Sequence, residues 1–433
     1  MNLQKSHSVR DVIVIGFALF AMFFGAGNVI FPPYLGVEAG PDWLSGFTAY
    51  FIADIGLAML AVFALLRVGS SEAVTARLGK VPAAMLMSAL ILCIGPMVAI
   101  PRTAATTYEM AIVPNISGVS SVVFSIVFFA LILFLCIRQS KVVDIIGSVL
   151  TPLLLIGLAV IIVKGIFTPL GEIAPAPNAD NVVLGGIKAG YQTMDALAAL
   201  PFGIIVLQSV VNKGCTEPKK QFKMVSGAAI LAGVLLLCVY MGLCYLGATV
   251  SAQYGLSVGR AELVMAIVEA LLGKAGMIIF GVVVGLACIT TAIGLTSSAA
   301  AYFTELCNNK VPYKAFVIVI CVFSALASNL GLDRIVAVAG PVLDIVYPPA
   351  LVVIFISLIM PKVGNCVSRG AALGALSVSI LSTLKVAAIQ SLPLYDMGLY
   401  WILPAVAFGL LGFGVELVLR SDKKKSSDAA AEI

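Results

Sequence analysis

The sequence predicts an all-α membrane protein of about twelve transmembrane helices: a 5+5 inverted repeat with helices one and six broken, plus two extra C-terminal helices. Three observations lead there. The 433 residues are 61% hydrophobic and only 11% charged. Soluble chains are about half apolar and about a quarter charged, so lipid must be the solvent outside. Long uncharged runs recur along the chain, without the alternating segments of roughly ten residues that mark a β-barrel. Glycine- and proline-bearing interruptions fall in the first and the sixth of these runs.

A hydrocarbon core of about 30 Å is crossed by roughly 20 apolar residues in a helix, which satisfies its own backbone groups as lipid demands. Residues 12–37 form the first span and 43–66, around Asp54, the second. No cleavage pattern follows the polar residues 1–10, so the first span is retained. Runs 81–101, 110–137 and 145–163 complete a first five-helix repeat within 1–165. The second repeat, within 185–360, takes 189–212 around Asp195, then 224–259, 275–304, 315–332, and 335–360 around Asp344. Within 368–420 lie helices eleven and twelve: 370–389, with Lys385 near its outer edge, and 397–418, with Glu416 near its end. Residues 1–420 thus make one membrane domain. The charged tail 421–433 is expected to be disordered.

Of the 26 Lys and Arg, nineteen fall in segments on the side of the N-terminus, six fall opposite, and Arg102 lies within a span. The positive-inside rule then places both termini in the cytoplasm of a cell (inner) membrane, with an even number of spans. The formal net charge of +5 follows from that bias and needs no nucleic-acid partner. The nine cysteines show no CxxC pairing, which gives no disulfide or metal site. The single histidine, His7, sits in the N-terminal segment, so neither HExxH nor a histidine-based catalytic pair exists. No GxxxxGK[ST] motif supplies ATP drive. An enzyme is therefore not expected, and neither is a bound cofactor.

The first span reads Phe23-Phe24-Gly25-Ala26-Gly27-Asn28, with Pro32-Pro33 close behind. Glycine costs about 1 kcal/mol and proline about 3 inside a helix. A break at 25–28 would free backbone groups at mid-membrane, where only protein, water, a solute or an ion can satisfy them. Gly-Ala-Gly could instead serve close helix approach. The sixth span carries a matching disturbance from Thr193 through Ala198 to Pro201 and Gly203. Paired breaks in corresponding positions point to a transporter site. In the eighth span Thr290, Thr291, Thr296, Ser297 and Ser298 crowd a short stretch. Such hydroxyls often bond back to their own helix, but beside freed carbonyls they are oxygen ligands for a sodium ion.

Four charges lie at membrane depth, where each costs at least about 2.5–3.5 kcal/mol and marks function by default. Asp195 adjoins the second break and suits a substrate ammonium group, coupling, or a helix cap. Arg102 and Asp344 could form a gate pair or be satisfied separately. Asp54 has no evident sequence partner and, as a protonatable group, suits proton coupling. Phe23, Phe202 and Ile204 are candidate walls for an apolar side chain. A channel would need a continuous pore lined by rings of charges or carbonyls, which suits interrupted helices less well than alternating access does.

The run Phe24-Gly25-Ala26-Gly27-Asn28 with Phe31-Pro32-Pro33, the break in span six, and Gly294-Leu295-Thr296-Ser297-Ser298 together resemble the leucine-transporter-type inverted-repeat fold. Across the whole chain the sequence is similar to the branched-chain amino acid:cation symporter family, the branched-chain amino acid transport system II carriers. That resemblance implies uptake of leucine, isoleucine and valine driven by sodium or protons. Transport of another small amino acid or solute is the alternative. The resemblance also implies a sodium ion held by the carbonyls of Ala21, Phe24 and Ile293 and the hydroxyls of Thr296 and Ser297. The substrate carboxylate would meet the N–H groups of Ala26 and Gly27, and Asn28 matches a position that can ligate a second sodium. Unlike some relatives, this chain has no arginine directly after Asn28.

Overall fold

The structure, a computed structural model, describes residues 9–116, 118–138, 142–212, 215 and 217–431. Helices account for its regular structure, with no strand among the described residues. In chain order they are α1 (Val9–Phe23), α2 (Ala26–Ala39), α3 (Trp43–Phe51), α4 (Leu57–Val68), α5 (Ser71–Thr75), α6 (Lys80–Leu92), α7 (Ala99–Thr107), α8 (Ser121–Arg138) and α9 (Val142–Phe167). There follow α10 (Val182–Thr193), α11 (Asp195–Asn212), α12 (Pro218–Ala248), α13 (Arg260–Leu306), α14 (Tyr313–Ser328), α15 (Leu332–Ile359), α16 (Asn365–Thr383), α17 (Ala387–Gln390) and α18 (Ile402–Ala431). Among the described residues seven helical stretches are long and apolar enough to cross a membrane, and three shorter apolar helices accompany them. The protein is a multi-pass, all-helical membrane protein.

The expected first span is two helices. α1 stops at Phe23, and Gly25, in extended backbone, starts α2 without a side-chain cap. Gly25 is not a close-approach residue, because a methyl group there would meet nothing nearer than 3.9 Å. The expected sixth span is also two helices, but its break is at Met194, in the left-handed conformation (φ 68°). Ala198, Pro201 and Gly203 all lie inside α11. Proline is tolerated there because its surroundings can re-satisfy the freed carbonyl.

A further interruption falls in the third expected run, beside Pro96, where proline is expected to kink the helix. Between α6 and α7 the backbone leaves helical geometry at Gly95 (φ −104°, ψ −125°) and at Val98 (φ −131°, ψ −64°). Three wide π-type turns also occur, at Ile52–Gly56, Cys93–Met97 and Tyr108–Ile112. The expected run 110–137 becomes helical as α8 only from Ser121, and 224–259 ends as α12 at Ala248. The tail expected to be disordered continues α18 as helix to Ala431, since its alanines and lysines are good helix formers.

Two compact units divide the chain. The first comprises 1–59 and 91–340, the second 60–90 and 341–433. Within the first, glycines let helices touch backbone to backbone. A methyl group on Gly36 of α2 would stand 2.0 Å from the Cys244 carbonyl of α12, and one on Gly247 would stand 1.9 Å from the Pro33 carbonyl. Gly186 and Gly190 seat α10 on α3 in the same way, 2.3 Å and 3.0 Å from the Gly46 and Tyr50 carbonyls. Arg260, at the start of α13, pairs with Asp333 of α15 and lies over the Tyr34 ring of α2 at 4.1 Å. In the second unit, Arg67 and Arg77 donate to the carbonyls of Leu358, Met360 and Pro361. Cations suit the electronegative end of a helix, here that of α15.

Candidate functional site

The interruptions of α1/α2, α10/α11 and α6/α7 meet at one cavity within the first unit. Its lining includes Met22, Phe23, Gly25, Ala26 and Asn28 from the first break, and Thr193, Met194, Asp195, Ala198 and Phe202 from the second. Ile94, Ala99, Arg102 and Thr103 join from the third, with Thr291 and Leu295 from α13. The cavity itself is small, about 40 Å³, well below the roughly 300–1,000 Å³ of small-molecule pockets, so the helices close tightly around this point.

The backbone gives this cavity its polarity. The first N–H groups of a helix lack intrahelical partners and carry about half a positive charge together. Ala26 and Gly27 open α2 this way, while the Asn28 N–H reaches back only to the Gly25 carbonyl at 3.2 Å. α1 and α10 present their carbonyl ends, with Met194 closing α10 and its own carbonyl accepting from Leu197 and Ala198 (3.1 and 3.0 Å). Positive and negative helix ends thus face a common space.

The side chains add a buried polar network. Asn28 Nδ2 donates to Asp195 Oδ2 at 2.7 Å and also to the Tyr240 hydroxyl. Thr193 Oγ1 donates to Asp54 Oδ1 at 2.7 Å. Asp54 therefore has a side-chain partner, and it sits in the π-type turn Ile52–Gly56, a device frequent at functional sites. Asp54, Asp195 and Arg102 also interact electrostatically with one another. Arg102 donates from Nη1 to the Gln192 carbonyl at 2.5 Å and from Nη2 to the Thr193 carbonyl at 3.4 Å. Its guanidinium lies 5.6 Å from the centre of the Phe31 ring. Gly27 packs so near that a methyl group there would stand 2.7 Å from Nη2. The apolar wall is partly aromatic, with Phe23 and Phe202 edge to face at 5.7 Å.

The expected sodium ligands lie in two places. Ala21 and Phe24 belong to the end of α1 and the residue after it, where Phe24 stacks on Phe20 at 5.3 Å. Ile293, Thr296 and Ser297 belong to α13. The Thr296 hydroxyl is buried without a hydrogen-bond partner. Ser297 Oγ donates to Cys136 Sγ (3.6 Å), which donates to the Ile293 carbonyl (3.7 Å). These are weak sulfur bonds. Thr290 bonds back to Ala287 of its own helix at 2.8 Å. Asp344 belongs to the second unit, within electrostatic reach of Tyr400, whereas Arg102 contacts Gln192, Thr193 and Phe31 in the first. The Ile204 side chain and His7 lie outside the described residues.

Thr193, Tyr240 and Tyr50 are the site neighbours that sequence reasoning missed. Tyr50 meets Tyr240 edge to face at 5.9 Å. One signal was present: Gly186 and Gly190 form a GxxxG pair, a helix-contact motif in membranes, and that contact carries Thr193 to Asp54.

Comparison with known proteins bears on the same region. The profile of the branched-chain amino acid transport protein family matches residues 8–418. The branched-chain amino acid permease BraB of Bacillus subtilis (strain 168) is 34% identical, over 98% of this chain and 99% of that protein. The branched-chain amino acid transport system 3 carrier protein of Pseudomonas aeruginosa (strain PAO1) is 34% identical, over 94% and 95%. Among solved structures, Mhp1, a nucleobase-cation-symport-1 family transporter in a closed conformation with bromovinylhydantoin bound, aligns with a TM-score of 0.61. That alignment has 16% identity and covers 93% of this chain and 91% of Mhp1, a likeness of fold.

Proposed function

The chain belongs to the branched-chain amino acid transport protein family, and from that premise we propose that it carries leucine, isoleucine and valine into the cell by cation-coupled symport. Its relatives are permeases and carriers, not enzymes. One observation carries the reading: three interrupted helices turn opposite polar ends and a phenylalanine wall into a single cavity.

An amino acid zwitterion matches that arrangement end by end. Its carboxylate suits the N–H groups of Ala26 and Gly27, as anions suit helix N-termini. Its ammonium group suits Asp195 and the carbonyl ends of α1 and α10. An aliphatic side chain against Phe23 and Phe202 gains about 0.8 kcal/mol per buried CH₂, which favours branched residues over smaller ones.

The coupling cation is a sodium ion or a proton. For sodium, the ligands are the carbonyls of Ala21, Phe24 and Ile293 and the hydroxyls of Thr296 and Ser297. The buried, unsatisfied Thr296 oxygen supports this site. Sodium there would hold the end of α1 against α13, so substrate and ion would each strengthen the other's binding, as linkage requires. The carboxyl groups of Asp54 and Asp195 are the candidates for a proton. Counting α1–α2, α3–α4, α6–α7 and α10–α11 each as one span, and leaving out the short α5 and α17, the helices make twelve crossings. These comprise two five-span repeats and the added α16 and α18, in the cell membrane with both termini cytoplasmic.

The test is uptake of labelled leucine into proteoliposomes under a sodium gradient and a pH gradient imposed separately. Accumulation above equilibrium under one of them is expected. Linear, non-saturating flux indifferent to both would favour a channel instead. If sodium drives uptake, the double variant Thr296→Ala, Ser297→Ala is expected to need at least about tenfold more sodium for half-maximal rate, about 1.4 kcal/mol. An unchanged sodium dependence would remove this ion site.

A further inference from the structure

We infer that Arg102 selects the substrate by its carboxylate, clamping that group at the N-terminus of α2. This rests on the amino acid transport reading given above and adds the residue that reads the anionic end.

Arg102 is only 4% exposed and lies in the first turn of α7, its N–H bonded to the Val98 carbonyl at 3.1 Å. The interruption at Gly95–Val98 is what starts a helix there and aims this side chain into the cavity. The placement is electrostatically peculiar. A guanidinium keeps its charge at any working pH. Here it stands at the positive end of α7 and, through Gly27, against the positive end of α2. Cations are disfavoured at helix N-termini, and more so where water is scarce. Three sources of positive potential on one wall form a receptor for an anion.

The groups that offset this charge are the carbonyl end of α10 and the carboxyl groups of Asp54 and Asp195, both within electrostatic reach of Arg102. The Gln192 and Thr193 carbonyls hold the guanidinium at the electronegative end of α10. Asp195 is held by Asn28 and Asp54 by Thr193. Arg102 lines the cavity together with Gly25 and Ala26, and Gly27 packs against its guanidinium, which brings the charge to the end of α2 whose first N–H groups lack helical partners. A carboxylate between them would receive N–H donors from α2 and the planar fork of Arg102, the geometry of a strong charge-assisted pair. Bound there, it would also link the two broken helices, because Arg102 contacts Gly27 of α2 and the end of α10 at once.

The experiment compares leucine with leucinamide, which keeps the ammonium group and side chain but lacks the anion. Half-saturating concentrations are read from ligand-dependent thermal stability of the purified protein, so a variant that no longer transports still reports binding. The wild type is expected to prefer leucine strongly. In Arg102→Gln the leucine value should rise by roughly tenfold or more, as when one partner of a buried charge pair is removed, while the leucinamide value moves little. Arg102→Lys should restore part of the preference, as it keeps the charge but not the fork. Gly27→Ala, whose methyl group displaces the guanidinium without altering Arg102, should show the same selective loss and stands in if Arg102→Gln does not fold. Equal shifts for both ligands, or none, would assign Arg102 a structural role and overturn the inference. A wild type that binds neither ligand would overturn the transport reading instead.

Discussion

Thr193 and Asp54 show how a membrane protein keeps an acidic group in place. Asp54 is fully buried, and the Thr193 hydroxyl gives it one defined donor at 2.7 Å. Replacing that hydroxyl by a methyl group leaves the shape and removes the donor. Thr193→Val is therefore expected to destabilise the protein by about 1–3 kcal/mol, the cost of an unsatisfied buried acceptor, measured by unfolding in detergent micelles. An unchanged midpoint would mean that Asp54 finds its partners elsewhere. Asn28 acts at the same scale with its amide, whose two protons reach Asp195 and Tyr240. Those bonds join residues of α2, α11 and α12.

Among the helices, glycine matters where it removes a collision, not where it merely appears. Gly36 and Gly247 bring α2 against α12, and Gly186 and Gly190 bring α10 against α3. Gly25, at the break itself, has room for a methyl group and an extended backbone that other residues adopt. Gly36→Ala is thus expected to cost about 1–3 kcal/mol, the usual penalty for overpacking. Gly25→Ala should leave folding stability nearly unchanged. The pair of melting curves checks this, and equal losses would contradict the packing described for α2. The π-type turn at Ile52–Gly56 acts at this scale too, since it sets the direction in which α3 hands Asp54 to α10.

For the whole molecule, the asymmetry of Lys and Arg makes a claim about topology. With both termini cytoplasmic, a protease-sensitive tag at either end should be cut in inside-out vesicles and protected in right-side-out ones. Opposite behaviour of the two tags would require an odd number of crossings. The structure holds seven long apolar stretches and three shorter helices among the described residues, and broken spans explain why long helices alone undercount crossings. A span interrupted at its centre yields two short helices, as α1 and α2 do with 15 and 14 residues.

Composition and run length alone determined that this chain lives in lipid as a bundle of helices, because the cost of exposing polar backbone to hydrocarbon leaves few alternatives. Sequence also located the first interruption at Gly25, where glycines and prolines cluster. It bracketed the second within 193–203 without fixing the position, since Pro201 and Gly203 draw attention while the turn is made by Met194, a residue with no breaking tendency of its own. Only the tertiary structure decided which buried charges meet. Arg102, Asp54 and Asp195 are far apart in the chain, and nothing local in their neighbourhoods encodes a partner. Their meeting depends on how closely glycine faces let α2, α3, α10 and α12 approach, a sum of many contacts that no single stretch of sequence contains.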